Sequence, residues 1–272
     1  MDKSLLNTNR LFDILSVSVL LSSCVLASSG TYAQDEYTAI TQMSVGMEYT
    51  SGDYGQSQNT DILYVPFSLK YDAFPWSVKL TVPYIRITGP GNVVGGVDGG
   101  VVIGDSSKRR TTEQGMGDTV ASVTYALDTW WNTAPIVDLT AKAKIATADE
   151  ARGLGTGEND YSLQVDIANT YGNTTPFLMV GYKFMGDPED IDLNNVWFSS
   201  VGLDYRLHPL VNVGLSFDTS QATSLVSEDP KELVGYMNWK ITKTFSVMGY
   251  GVLGFSDGSP DNGLGFQMSY RY

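Results

Sequence analysis

The chain has 272 residues, a formal net charge of −13 and a mean hydropathy of −0.09. This acidic balance argues against a nucleic-acid partner, because a phosphate-binding surface needs clustered Lys and Arg. No stretch after residue 30 approaches the ~20 apolar residues that a membrane-spanning helix needs. The 16 Tyr and 28 Gly instead favour short strands and turns.

The N-terminus carries the pattern of a secretory signal. Lys3 and Arg10 precede the apolar run 14–21, which passes through small residues to Ala33. This order predicts a signal peptide over residues 1–33, cleaved after Ala33, and a mature domain over 34–272. An alternative stays open, since residues 21–24 resemble a lipobox in which Cys24, the only cysteine, would carry a lipid. A chain cut after Ala33 has no cysteine left for disulfide or thiolate chemistry.

Period-two alternation of apolar and polar residues dominates the chain after residue 40. In the first such segment, Met43, Val45, Met47 and Tyr49 alternate with small or charged residues. Twelve segments of this kind follow one another, each near the ~9–11 residues of a tilted membrane strand. Shorter links (72–75, 129–135, 171–174, 208–209 and 242–243) alternate with longer ones (52–60, 88–116, 148–158, 187–194, 220–229 and 256–262).

This alternation of link lengths is typical of outer-membrane barrels, which have short periplasmic turns and longer external loops. We therefore predict an all-β fold, a closed antiparallel transmembrane β-barrel of about 12 strands, with both termini periplasmic. Aromatic residues fall at both ends of the segments, as in the two aromatic belts of membrane barrels. Phe177 is assigned to the belt at the short-turn end.

The charged residues opposite the apolar sets define the predicted lumenal face. In a lipid-embedded barrel this polar face points inward, and its charges set the selectivity of a pore. The predicted pore-lining residues are Glu48, Lys70, Lys79, Asp128, Asp138, Lys142, Lys144, Asp166, Lys183, Asp204, Arg206, Asp218, Lys240 and Arg271.

The final segment, residues 264–272, resembles the last-strand signal that the bacterial barrel-assembly machinery reads. Alternating apolar residues end on a terminal aromatic, with Phe266, Tyr270 and Tyr272 as the residues that carry the resemblance. The resemblance implies the barrel-assembly machinery as a partner, together with outer-membrane lipid and lipopolysaccharide.

Two further stretches resemble the family of outer-membrane proteins of phenol meta-pathway degradation. They are Gly115-Met-Gly-Asp-Thr119 leading into residues 123–125, and residues 141–147 followed by 153–161. Ala146 stands where members of that family usually have Pro. The resemblance covers roughly the middle third of the chain and implies a barrel with an uptake role, without naming a substrate.

Candidate chemistry is sparse. The only histidine, His208, precedes Pro209 in a predicted short turn, so a Ser–His catalytic pair inside the barrel has no base. The acidic run 187–192 lacks the ligand spacing and the glycine of a calcium loop. We predict no enzyme activity, no cofactor and no metal site.

The loop 88–116 is the longest irregular segment of the sequence. It combines eight glycines with several valines and the cations Lys108, Arg109 and Arg110. Loops of this length are usually functional or disordered. We expect it either to fold into the mouth as a constriction or to remain a surface loop.

These features predict an outer-membrane channel or uptake pore for a small-molecule solute. The alternative is a non-conducting structural or adhesion barrel, whose long loops bind surface partners.

Overall fold

The computed structural model describes residues 39–91, 93–96, 99–102, 110–127, 135–188 and 191–272. The predicted signal peptide (1–33) with Cys24, and the predicted site residues Lys108, Arg109 and Asp128, lie outside these ranges. Within them, no helix is long and apolar enough to cross a membrane.

The described chain is built from β-strands and one short 3₁₀ helix, Glu150–Arg152, in the link that follows β8. The strands are β1 (Ile40–Gly52), β2 (Thr60–Ala73), β3 (Trp76–Gly89), β4 (Val93–Gly96), β5 (Gly99–Val102), β6 (Thr111–Met116), β7 (Thr119–Leu127), β8 (Ile136–Ile145), β9 (Asp160–Ala168), β10 (Thr174–Phe184), β11 (Val196–His208), β12 (Val211–Ser220), β13 (Lys231–Lys240), β14 (Phe245–Gly254) and β15 (Asn262–Arg271).

Antiparallel pairing closes the sheet on itself. Each wall strand pairs with its neighbours along the chain, and β1 pairs with both β2 and β15. β6 and β7 both pair with β3, through its loop-side and turn-side halves, and together form one strand of the wall. The hairpin β4–β5 forms a separate sheet. The wall therefore has twelve strands, and the predicted closed antiparallel barrel is confirmed.

The links at the two ends of the barrel differ in length. At one end, called the short-turn end, the links are 74–75, 128–135, 169–173, 209–210 and 241–244. At the other, the loop end, they are 53–59, 90–110, 146–159, 185–195, 221–230 and 255–261. The predicted alternation is present, although 128–135 is longer than the loops 53–59 and 255–261. Thr41 and Tyr272 exchange backbone hydrogen bonds at the short-turn end. That this end faces the periplasm stays a prediction.

The apolar face of each strand points outward. In β9 the burial alternates strictly, with Ser162, Gln164 and Asp166 buried and Leu163 and Val165 exposed. A water-soluble sheet buries its apolar face, whereas a membrane barrel presents that face to lipid. This inverted pattern runs through the described wall strands and identifies a transmembrane barrel of the outer-membrane type.

The link after β3 is shorter than predicted. Thr111–Met116 is strand β6, paired with Tyr84–Gly89, so the loop comprises 90–110 instead of 88–116. Inward residues are odd-numbered in β6 and even-numbered in β7, because the wall strand is irregular at Gly117–Asp118. The Gly117 amide donates to the Pro83 carbonyl at 2.9 Å. A change of parity inside one strand removes the alternation that a sequence pattern relies on.

One assignment to the aromatic belts is wrong. Phe177 points into the barrel and is 3% exposed, while its neighbour Leu178 faces outward. The wall of β10 is apolar on both faces here, since Met179 is also buried. Alternation alone cannot assign a face to such a run.

We expect the closing strand to be sensitive to loss of an outward aromatic. Phe266 lies on β15, opposite Met47 of β1, and is 40% exposed on the lipid side. Phe266→Ser removes apolar contact with lipid from the strand that closes the ring, and open edges do not persist in lipid. The heat-modifiable folded fraction in membranes should fall several-fold. Phe255→Ser, an exposed aromatic just after β14, is the control. Equal folded fractions for both variants would contradict the prediction.

Candidate solute pathway

The predicted pore-lining residues in the described ranges all lie on the inward face of their strands. They alternate with residues that are exposed on the lipid side, and the cross-strand register places them opposite other inward residues. These residues are Glu48, Lys70, Lys79, Asp138, Lys142, Lys144, Asp166, Lys183, Asp204, Arg206, Asp218, Lys240 and Arg271.

Five of these cations lie in one continuous row of directly paired inward residues. We call it the basic row, and it crosses eight wall strands from β15 to β10. The three remaining positions of the row carry an amide or a hydroxyl side chain. In order, the row is Arg271, Gln42, Lys70, Lys79, Ser122, Lys142, Ser162 and Lys183.

A second row of directly paired inward residues carries carboxylates. This acidic row crosses β8 to β13 and consists of Asp138, Asp166, Met179, Ser200, Asp218 and Glu232. Where both rows cross the same strand, they are four residues apart, as Lys142 and Asp138 are in β8. At ~3.3 Å per residue this separation is ~13 Å along the strand.

Hydrogen bonds hold several lumenal carboxylates in place. The Gln164 amide donates to both oxygens of Asp166 at 2.8 and 2.7 Å. The Asn212 amide donates to Asp204 at 3.1 Å. The Tyr250 hydroxyl donates to Glu48 at 2.6 Å. Charge-assisted bonds of this kind offset the cost of taking a carboxylate out of bulk water.

Lys144 lies at the centre of a group of ion pairs on the inner face of the barrel. Its Nζ lies 2.8 Å from Asp160 and 3.5 Å from Asp118, and it donates to Thr156 at 2.8 Å. Asp118 also accepts from the amides of residues 147 and 148. The group therefore joins the irregular point of β6–β7 to the loop after β8.

Asp118, Asp160 and Glu232 are lumenal acids that the predicted pore lining omits. Asp160 opens β9 and Glu232 is the second residue of β13. Both residues point inward because they continue the alternation of their strands. They lie at strand ends, which are the least certain part of a sequence-based assignment, and they are therefore missed from the sequence alone. Asp118 lies at the irregular point of β6–β7, where alternation does not indicate which face of the wall a residue occupies.

Four inward aromatic rings cover glycines of the neighbouring strand. Each ring faces a glycine that is its direct cross-strand partner, and a Cβ at that glycine would overlap the ring. The pairs are Phe177 with Gly202, Phe198 with Gly181, Tyr236 with Gly214, and Tyr250 with Gly265. A ring that covers a glycine extends along the wall, so less of it projects across the lumen.

An apolar cluster closes part of the mouth at the loop end. Ile62, Tyr64, Ile85 and Ile87 point inward from β2 and β3. They pack with Tyr54 of the first loop, Val93 of the hairpin and Leu154 of the loop after β8. Burial raises the pKa of Tyr54, with a smaller contribution from Glu232, so its hydroxyl stays neutral. The long loop thus brings its hairpin into contact with the inner wall.

Beside this cluster lies a cavity of about 340 Å³. Its lining comes from the hairpin, from β3 and β6 and from the loops after β8 and β10. It includes Val94, Glu113, Arg152 and Ile191. Arg152 and Glu113 form an ion pair at 3.0 Å at this position.

Arg110 lies at the rim. Its guanidinium donates to Asp61 and to the Asn59 carbonyl. Asp61 also accepts a hydrogen bond from Ser51 at 2.7 Å. Through Asn59 and Asp61, Arg110 therefore connects the end of the long loop to the first loop and to the start of β2, which gives it an anchoring position at the edge of the mouth.

The described residues contain no group of three or more His, Cys, Asp or Glu side chains placed to hold a metal ion. His208 is exposed at the end of β11, where its Nδ1 accepts from the Leu210 amide at 3.3 Å.

We expect Gly214→Ala to destabilise the barrel because the new methyl group would overlap the Tyr236 ring. Overpacking of this kind costs ~1–3 kcal/mol. Gly249→Ala on β14, two strands away, is the matched control, since nothing lies within 4 Å of its added methyl group. Urea unfolding in lipid vesicles measures both variants. A Gly214→Ala barrel as stable as Gly249→Ala would show that the ring does not need this glycine.

Two solved structures share this architecture at low sequence identity. The first is an outer-membrane channel from Pseudomonas putida F1, with TM-score 0.65 and 12% identity, covering 90% of this chain and 100% of that chain. The second is the NanC porin, with TM-score 0.55 and 10% identity, covering 84% of this chain and 98% of that one. At these identities the likeness establishes the fold. No curated protein matches the chain.

A family model described as the MetA-pathway of phenol degradation matches residues 37–272. The match extends over the whole barrel, well beyond the middle third that carries the resemblance in the sequence. The chain belongs to this family of outer-membrane proteins.

Proposed function

We propose that this barrel is a passive channel for small molecules across the outer membrane. The observation that carries the proposal is the inward face of the wall, which carries polar and charged side chains from the short-turn end to the loop end, inside an apolar exterior. In channels of this architecture, inward polar residues replace part of the hydration shell of a passing solute. The two structural neighbours bear the names channel and porin.

The lumen admits only small solutes. Asp138, Asp204 and Glu232 point inward and are 2%, 1% and 1% exposed, so neighbouring side chains cover most of their surface. A barrel of about this size holds an interior that is either filled by side chains or narrowly open. The aromatic–glycine pairs widen the lumen where they occur, because they hold four rings against the wall.

The hairpin of the long loop is our proposed constriction. Val93 and Val94 are 4% and 5% exposed and belong to the mouth, with Val93 packed on Ile87 and its neighbours. Burial of two valines stabilises the hairpin by ~1.5–3 kcal/mol each at most. Burial of these valines therefore favours a position of the loop over the mouth.

Conductance of the purified barrel in planar bilayers tests the function. We expect discrete, ohmic single-channel steps from protein that migrates differently on gels before and after boiling. Boiled, unfolded protein is the control and should give no steps. Heat-modifiable protein without steps at any voltage would contradict the channel.

The second candidate, a non-conducting structural barrel, is favoured by the low exposure of the lumenal carboxylates. The same bilayer experiment separates the two candidates, because a filled lumen conducts no ions.

We expect deletion of residues 92–109 to enlarge the single-channel conductance. The deletion removes the hairpin and its valines but keeps Arg110 and strand β6, so the wall and the Arg110–Asp61 pair remain. Deletion of 146–159 instead would remove Thr156, which bonds Lys144, and is therefore not a clean comparison. The matched control is a deletion within the 221–230 loop. Unchanged conductance after removal of 92–109 would show that the hairpin does not restrict the path.

A further inference from the structure

The basic row runs from one end of the barrel to the other. Arg271 is the last residue of β15 at the short-turn end, Lys142 lies in the interior of β8, and Lys183 is next to the loop end of β10. Rows of direct partners climb because barrel strands are tilted by ~35–45°. Seven steps of ~4.8 Å at this tilt climb about 20 Å, most of the ~25 Å apolar band.

Four of the five cations of this row are more accessible than the carboxylates of the acidic row, whereas Lys70 is buried at 7% exposure. Lys79, Lys142, Lys183 and Arg271 are all partly exposed. The acidic row is covered, with Asp138 and Asp166 at 2% and 3%, Asp218 at 9% and Glu232 at 1%. Since the outer surface of these strands faces lipid, the exposed part of an inward cation faces lumenal water. A solute inside the barrel therefore meets positive charge on the basic row before it meets the acids.

Hydroxyl and amide groups flank the basic row on both sides. Toward the loop end run Ser246, Ser269, Ser44, Ser68 and Thr81, which are directly paired across five strands. Toward the short-turn end run Ser77, Thr124, Thr140 and Gln164. Hydroxyls and amides can donate to an anion that a lysine has attracted. Such a lining suits a carboxylate better than a bare chain of ammonium groups would.

The two rows are separated by ~13 Å along each of the strands β8, β9 and β10 that both rows cross. Across the lumen, the buried Lys70 interacts electrostatically with Asp138 of the acidic row, so this cation is partly compensated. Nearer carboxylates occur at specific points, such as Asp72, which pairs with Lys70 at 3.1 Å near the short-turn end.

The spacing of the cations favours monovalent solutes. Neighbouring cations of the row are one or two strands apart, or ~5–10 Å. An anion with one charge can therefore leave one cation as it reaches the next. Conduction requires binding that is strong enough for entry and weak enough at each site for exit. A polyanion bridging several lysines would be held at all of them together.

We propose that the basic row is a stepwise path for small monovalent organic anions, carboxylates in particular. This inference rests on the proposed channel function and adds the class of solute. Lys79 and Lys142 lie in the interior of the row and carry its central part.

Ion selectivity of the full barrel in planar bilayers is the first test. In a KCl gradient we expect the reversal potential of the wild-type channel to show a several-fold preference for chloride over potassium. Lys79→Gln/Lys142→Gln should lower that ratio at least threefold, whereas Lys79→Arg/Lys142→Arg should keep it. Lys231→Gln is the control for loss of positive charge away from the lumen, because this exposed lysine opens β13 on the outer side.

A matched pair of solutes is the second test. Gluconate and glucose have nearly the same size and differ by one carboxylate. Wild-type barrel in proteoliposomes should admit labelled gluconate several-fold faster than glucose. The double Gln variant should slow gluconate to near the glucose rate and leave glucose entry unchanged.

The outcomes separate the two proposals. A folded, heat-modifiable barrel without conductance overturns the channel function itself. A barrel that conducts without anion preference, or whose double Gln variant matches Lys231→Gln, leaves the channel standing and overturns the basic row as a path. Equal slowing of gluconate and glucose also overturns it, because the lysines would then set only the width of the lumen.

Discussion

Closure of the sheet is the constraint on which the rest of the structure depends. In lipid, each unpaired backbone amide or carbonyl costs several kcal/mol, so a spanning sheet persists only when its first and last strands pair. Here β1 and β15 pair over ten residues each, from Gln42↔Arg271 to Ser51↔Asn262. The register of this seam fixes which inward residues become neighbours around the ring. It places Arg271 beside Gln42 and so joins the last strand to the basic row.

A closed wall also decides where charge can be placed. A lysine on the lipid face near the midplane costs ~2–4 kcal/mol, so the charges of the strand interiors are concentrated on the inner face. There they are close enough to pair, as Lys144 does with Asp160, and removal of one partner would leave a buried charge without compensation. Opposite charges therefore lie side by side in the lumen. Because the acids are more covered than most lysines of the basic row, the proposed preference of the lumen is for anions.

Much of this fold can be predicted from the sequence, because alternation marks both the strands and their inner faces. The charged residues assigned to the polar face within the described ranges lie on the inner face of their strands. The incorrect or missing assignments have local causes. Thr111–Met116 has no apolar alternation, and the irregular point at Gly117–Asp118 reverses the parity that follows. Phe177 lies in a run that is apolar on both faces, where packing against Gly202 decides the orientation. The inward isoleucines of β2 and β3 depend on partners from distant loops.

The basic row itself could not be predicted from the sequence, because it is a property of register. Alternation gives each lysine a face but not a neighbour, and a slip of two residues between strands would preserve every face. Such a slip between β7 and β8 would place Ser122 opposite Thr140 or Lys144 instead of Lys142. With Thr140 as the partner, the row would lose its central cation. Turn lengths, the opposed Pro66 and Pro83 and the irregular point in β6–β7 fix the register. These features therefore determine whether the lysines form a path or remain scattered.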